Sequence, residues 1–177
     1  MKIEIKKIKF KEALSEETNN FYGEIYVNNI NVGFCKNNGT GGCTEYRHHY
    51  SATPEQIQLF MDAEEYCKTL PPIKYSPKTT INMTMEHYID NYVYDYIDKR
   101  EGKKFNRKLN LDMKRGIVYG TKKSYKIVFW RHYTIEDLLK HPAGKVLLVK
   151  EITKLKEQNE TILNTNLPKE ILDSKGK

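Results

Sequence analysis

Proline and glycine are scarce in this chain, at six and ten of 177 residues, which excludes collagen-like and low-complexity linker architectures. Cysteine is scarcer still. Cys35, Cys43 and Cys67 are an odd three, too few for a disulfide framework, so reduced thiols are expected. No Cys-x-x-Cys pair is present, and Cys35, Cys43, His48 or His49, and Cys67 match no compact zinc knuckle, so neither a metal nor another cofactor is expected. Long apolar runs are missing as well. The longest, such as Val146–Val149, fall far short of the roughly 20 residues that cross a bilayer. The opening Met1-Lys2-Ile3-Glu4-Ile5-Lys6-Lys7 has no apolar h-region. A soluble protein of the cytoplasm, without membrane contact, is the expectation.

Tyrosine and charge are what the chain has in quantity. Thirteen Tyr, six Phe and one Trp supply enough large side chains for a core, which argues against disorder. The net charge of +7 is unevenly spread. Lys99, Arg100, Lys103, Lys104, Arg107, Lys108, Lys114, Arg115, Lys122, Lys123 and Lys126 are opposed within their own window only by Glu101 and Asp112. The remainder is slightly acidic, so one stretch makes the protein basic.

Ile3, Ile5, Ile8 and Phe10 lie in a Lys-rich segment that reads as an exposed or edge strand. Phe21–Val27 and Ile30–Cys35 flank Asn28-Asn29, a hairpin signature, and a short strand is expected from Cys43 to His48. Thr53-Pro54-Glu55-Gln56 spells a capped helix start with Pro at the first helical position. That helix runs to Pro71-Pro72, and Pro71–Pro77 reads as a stiff connector before a short strand at Thr79–Met83. A second helix, capped by Thr84, buries Met85, Tyr88, Ile89, Tyr92, Val93, Tyr96 and Ile97. At 100° per residue, the eight basic residues from Lys99 to Arg115 share one half of the helical wheel, and Phe105, Leu109 and Met113 the other. A straight helix would lay that basic half over the preceding apolar stripe, so a break or kink is expected at Gly102, the alternative being an unbroken helix that projects beyond the body. Ile117–Tyr119 and Tyr125–Trp130 form a hairpin with a basic tip. Thr134 caps a short helix that Pro142 and Gly144 interrupt. A helix at Val146–Gln158, a strand at Thr161–Asn164 and a polar tail over 168–177 complete the chain. Residues 1–177 are expected to form a single α+β domain, with an antiparallel or mixed sheet built from hairpins and packed against several helices. Any subdivision would fall at Pro71–Pro77.

Five constellations bear on chemistry. The basic helix face and the hairpin tip Lys122-Lys123 suit phosphate backbones, although such runs are often only a solvated face. An acidic protein partner would meet the same surface. Lys36-Asn37-Asn38-Gly39-Thr40-Gly41-Gly42-Cys43-Thr44, followed by Arg47, can gather backbone N–H groups around an anion. Lys36, Gly39, Gly41, Gly42 and Arg47 are therefore candidate nucleotide ligands, against the plainer reading of a hairpin turn. His49-Tyr50-Ser51 and His132-Tyr133-Thr134 look like the paired motifs of two-histidine phosphoesterases, where each His moves a proton and each hydroxyl holds a phosphate oxygen. The first copy runs straight into the Thr53 cap, and no catalytic residue is assigned. Tyr88, Tyr92 and Tyr96 read as core rather than as a stacking row. Asp90, Asp95 and Asp98 read as a solvated face.

Several strings occur together: Gly41-Gly42-Cys43-Thr44, Tyr66-Cys67-Lys68-Thr69-Leu70-Pro71-Pro72-Ile73, Glu86-His87-Tyr88-Ile89-Asp90-Asn91, Ile117-Val118-Tyr119-Gly120 and Ile162-Leu163-Asn164-Thr165-Asn166-Leu167. In these the chain resembles uncharacterised small proteins encoded by tailed phages and prophages of Bacteroidota, from about Phe21 to Leu167. The resemblance implies an accessory protein of the bacterial host cytoplasm, a host-takeover or anti-defence factor, and transfers no functional residue. The expectation is a non-enzymatic protein that binds a polyanion, nucleic acid first, through the basic helix face and hairpin tip. A nucleotide-binding sponge or phosphoesterase acting on a cyclic nucleotide signal is one alternative. An inhibitor or structural protein docking on an acidic host protein is the other.

Overall fold

β1 (Ile3–Phe10) carries two apolar pairs, Ile3/Ile5 and Ile8/Phe10, that are out of step by one residue. A bulge between Lys6 and Lys9, with Lys7 at a φ of 51°, absorbs the extra residue. Ile8 thereby returns to the side on which Ile3 and Ile5 are buried. The computed structural model describes residues 1–77, 79–121 and 124–174, and it is an α+β fold whose sheets are antiparallel. The chain divides into two compact units, Met1–Arg100 and Glu101–Lys177.

In the first unit, β1 is an edge strand paired with β2 (Phe21–Val27), followed in order by β3 (Ile30–Asn37) and β4 (Glu45–His48). Asn28 and Asn29 turn β2 into β3 at φ of 50° and 69°, the doubly positive turn that matches the twist of a hairpin. α1 (Pro54–Lys68) starts on a reciprocal cap. The Gln56 N–H donates to the Thr53 hydroxyl oxygen at 3.3 Å, and the Thr53 N–H donates to Gln56 Oε1 at 2.9 Å. Phe60, Ala63 and Cys67 of α1 pack with Ile25, Val32 and Cys35 of the sheet to form the core. Pro71–Pro77 is not a plain connector, because Ile73–Ser76 is β5, paired with β6 (Thr79–Ile81).

α2 (Met85–Arg115) then runs through Gly102 without a break. Of the two courses the sequence leaves open at this point, the helix takes the unbroken one. Each unit has its own core, with Met85, Ile89 and Val93 buried in the first and Met113 in the second. The division thus falls inside α2 rather than at Pro71–Pro77. A Cβ built on Gly102 meets nothing within 4 Å. Gly102→Ala is therefore expected to stabilise the protein by about 0.5–1 kcal/mol, the helix-propensity difference, as a higher urea midpoint at unchanged slope.

The second unit follows α2 directly with the hairpin β7 (Gly116–Gly120) and β8 (Tyr125–Phe129). α3 (Ile135–Lys140) carries the Thr134–Asp137 cap legible in the sequence. Pro142 does not interrupt a helix but opens one, α4 (Pro142–Glu157), since the first helical position needs no N–H. Gly144 is required there, because a Cβ would lie 2.2 Å from the Leu138 carbonyl oxygen. Ile117, Ile135, Leu148 and Ile152 form the core. The polar tail is only partly so: α5 (Lys169–Leu172) buries Ile171 in that core. Thr161–Asn164 is not a strand of its own but runs beside β7, making one bridge, Ile162 to Tyr119. From it Asn164, 5% exposed, reaches into the end of α2. Its Oδ1 accepts the Val118 N–H at 2.6 Å, and its Nδ2 donates to the carbonyls of Met113 and Gly116 at 3.2 and 3.0 Å.

Candidate functional site

The C-terminal part of α2 is two-faced by sequence and is held so by packing. Phe105 meets the Tyr125 ring edge-on at 5.5 Å, and the Tyr125 hydroxyl donates to Asp112 Oδ2 at 2.8 Å. Met113 is buried and Leu109 half-buried, so Phe105, Leu109 and Met113 are the docked side, as their spacing indicates. Lys103, Lys104, Arg107, Lys108, Lys114 and Arg115 are exposed on the same helix. Lys104 is paired with Glu101 at 2.7 Å, and Arg115 lies over the Phe129 ring at 5.6 Å, with Asp112 at 3.8 Å. Lys103, Arg107, Lys108 and Lys114 make no ion pair among the described residues, so their charge faces water. Lys99 and Arg100 belong to the first unit, where the Arg100 guanidinium lies 5.7 Å from the Phe10 ring. Lys122 and Lys123, the expected basic tip, lie outside the described residues.

The glycine-rich loop is not the expected nest of free amides. Asn37, 8% exposed, organises it: its Oδ1 accepts the Gly39 N–H and the Thr18 hydroxyl, each at 2.8 Å, and its Nδ2 donates to the Gly42 carbonyl at 2.9 Å. The Gly41 N–H donates to Thr18 Oγ1 at 3.3 Å. Gly39 and Gly41 take φ of 85° and 91°, as a turn requires. Lys36 and Arg47 are both paired with Glu45, at 3.1 and 3.3 Å. The amides of Gly39 and Gly41 are thus spent inside the loop, and the two cations are taken by a carboxylate.

Beside this loop lies a cavity of about 380 Å³ whose charged walls are acidic: Glu17, Glu86 and Asp90, with Asn37 and Thr44. The Thr44 N–H donates to Glu86 Oε1 at 3.0 Å and its hydroxyl to Asp90 Oδ1 at 2.5 Å. A phosphate would be repelled by this set. Asp90 is therefore not on a solvated face. Burial raises its pKa above the usual aspartate value and Glu86 adds to that, while the Thr44 hydroxyl opposes. The folded state thus holds the Asp90 proton more tightly than the unfolded one. Ionising it costs stability as pH rises between the two values, and the whole cost is present above the folded one. Asp90→Asn, which keeps an acceptor for Thr44, is expected to melt above the wild type at pH 7. That difference should vanish at pH values below the normal aspartate range, as read by thermal unfolding across pH.

Neither histidine motif lies in a strand. His49 and Ser51 occupy the turn after β4, where His49 Nε2 bonds to Asn31 Oδ1 at 3.0 Å. His132 and Thr134 occupy the turn before α3, and the Thr134 hydroxyl is committed to Asp137 at 2.6 Å. A hydroxyl bound into a helix cap is not positioned to hold a phosphate oxygen. Cys35 and Cys67 are buried in the first core, with thiols pushed up by burial to about 12 and about 11, and Cys43 is exposed. No group of three metal-ligating side chains gathers among the described residues. Tyr88 and Tyr92 are half-buried against the core, with the Tyr88 hydroxyl on the Ile3 carbonyl at 2.9 Å, whereas Tyr96 is 38% exposed.

One arrangement is not apparent from the sequence. Tyr22, Phe34, Arg47 and His49 form a row on the sheet face turned away from α1. The signal available was alternation: Phe21 faces in and Tyr22 out on β2, and Phe34 lies between the buried Gly33 and Cys35 on β3. Among the described residues, no helix is long and apolar enough to cross a membrane. No protein-family model, no curated protein and no solved structure matches the chain.

Proposed function

We propose that this protein binds nucleic acid through the basic face of α2, without catalysing a reaction on it. The observation that carries this reading is the set Lys103, Arg107, Lys108 and Lys114, exposed and without ion-pair partners among the described residues, on a helix whose other side is docked by Phe105 and Met113. A duplex carries a dense, regular negative charge with condensed counterions, and cations fixed along a helix release those ions on contact. Lysine predominates over arginine on this face, which favours phosphate contact over bidentate reading of bases. Sequence-independent binding is the consequence. The setting we propose is that of the phage accessory proteins the sequence resembles, in the host cytoplasm, where such binding would serve host takeover or escape from defence.

The test is fluorescence anisotropy against a labelled duplex over a range of sodium chloride concentrations. Four contacting cations predict a log–log slope of about −3.6, with little dependence on base sequence. No binding at low salt, or a slope near zero, would overturn the proposal. Co-purification of an acidic protein that survives nuclease treatment would instead assign the same lysines to a protein partner. The loop with Lys36, Gly39, Gly41, Gly42 and Arg47 does not favour the nucleotide alternative, because the Gly39 and Gly41 amides are bound within the fold and both cations are paired with Glu45.

A further inference from the structure

The outer face of the four-stranded sheet is a surface of rings and cations. Tyr22 on β2 and Phe34 on β3 lie with ring centroids 6.0 Å apart and planes within 19° of each other. His49 continues the row 6.0 Å beyond Phe34, its ring fixed through Nε2 by Asn31. The Arg47 guanidinium lies 5.9 Å from the Phe34 ring, and Lys6 Nζ stands 4.6 Å over Tyr26. Tyr22 is 37% exposed, and the helix α1 packs on the opposite face, against Ile25, Val32 and Cys35.

The charge of this face is positive in sum. Its carboxylates are Glu4, Glu24 and Glu45, and each is already met by at least one cation: Lys2 and Lys6 at Glu4, Lys7 at Glu24, Lys36 and Arg47 at Glu45. Lys9, paired in register with Tyr22 and exposed, adds a further charge beside the first ring. Cations outnumber carboxylates, and the surplus flanks the aromatic row.

We propose that this face is a stacking platform for single-stranded nucleic acid, with Tyr22, Phe34 and His49 receiving bases and Lys9 meeting the backbone. Bases in a duplex are stacked on each other and offer no free face, whereas those of a single strand do. Three rings in a row, with an arginine plane beside them, match a run of bases rather than one nucleotide. The inference rests on the nucleic-acid reading above and refines it: the α2 face holds phosphates of either form, and the sheet selects the single strand.

Anisotropy of a labelled oligothymidylate and of a duplex of equal length tests it with three variants. Tyr22→Ala with Phe34→Ala should weaken single-strand binding about 100-fold and leave duplex binding and the salt slope unchanged. Tyr22→Phe with Phe34→Tyr keeps both rings and should bind like the wild type, which separates lost stacking from lost folding. Lys103→Glu with Arg107→Glu and Lys108→Glu should weaken both nucleic acids. Unchanged single-strand affinity in the alanine pair, or an equal loss on the duplex, would overturn the platform. If the α2 variant still loses binding in that case, the proposed function stands without it. A wild type that binds neither nucleic acid would remove both.

Discussion

Asn164→Ala is expected to cost about 3–5 kcal/mol and to lower the melting temperature of the second unit far below that of the first. The side chain is almost fully buried, and it alone answers the Val118 N–H, while its amide serves the Met113 and Gly116 carbonyls. The last carbonyls of any helix lack intrahelical partners, and here a side chain about fifty residues away meets one of them, at Met113, together with the Gly116 carbonyl that follows the helix. Truncation leaves the buried Val118 N–H and the Gly116 carbonyl without the partner that Asn164 supplies, each at a cost of about 1–3 kcal/mol. Asn166 also donates to the Met113 carbonyl, at 2.9 Å, but is exposed, so Asn166→Ala should cost about 1 kcal/mol or less. Chemical denaturation of the two variants checks the contrast. Equal, small losses would show that the buried network contributes little.

Replacing the free cations of α2 carries the second large effect. Lys103→Glu, Arg107→Glu, Lys108→Glu and Lys114→Gln together should weaken duplex binding by a factor on the order of 10³ at low salt and flatten the salt slope towards zero. Lys114 is neutralised rather than reversed because it sits in the last turn of the helix, where a carboxylate would oppose the helix dipole. Arg115 is left alone because its guanidinium covers Phe129. All four side chains are exposed, so each change should alter stability by no more than about 0.5 kcal/mol, and circular dichroism should show an unchanged melt. Affinity within threefold of the wild type would remove the α2 face from consideration.

What could be read in the sequence was local. The Thr53–Gln56 and Thr134–Asp137 caps and the Asn28-Asn29 turn depend on bonds spanning at most three residues, and they stand where the sequence places them. The partition of α2 into basic and docked sides is equally local, a matter of angle along one helix. Bonds between distant residues were not legible. Asp90 looks solvated in sequence because its partner, Thr44, lies 46 residues away. The glycine loop looks like an anion nest because Thr18, which takes the Gly41 N–H and donates to Asn37, lies outside its string. Pro142 is ambiguous for a different reason: proline blocks the interior of a helix and favours its first turn, and only the end of α3 at Lys140 decides between them. At Gly102 the angular pattern alone leaves both a kink and an unbroken helix open, and α2 is unbroken.

The unbroken α2 inverts the usual order in which a helix opens. An isolated helix frays from its ends and keeps its centre. Here the ends are fastened, by Met85, Ile89 and Val93 on one side and by Met113 under Asn164 on the other. The centre holds Gly102, the residue of lowest helix propensity after proline, in open space. Amide exchange should therefore be fastest around Glu101–Lys104 and slowest toward both termini of α2. A protease that needs a few residues of unwound chain would find them there, beside Lys103 and Lys104, and would release two fragments that each keep a core.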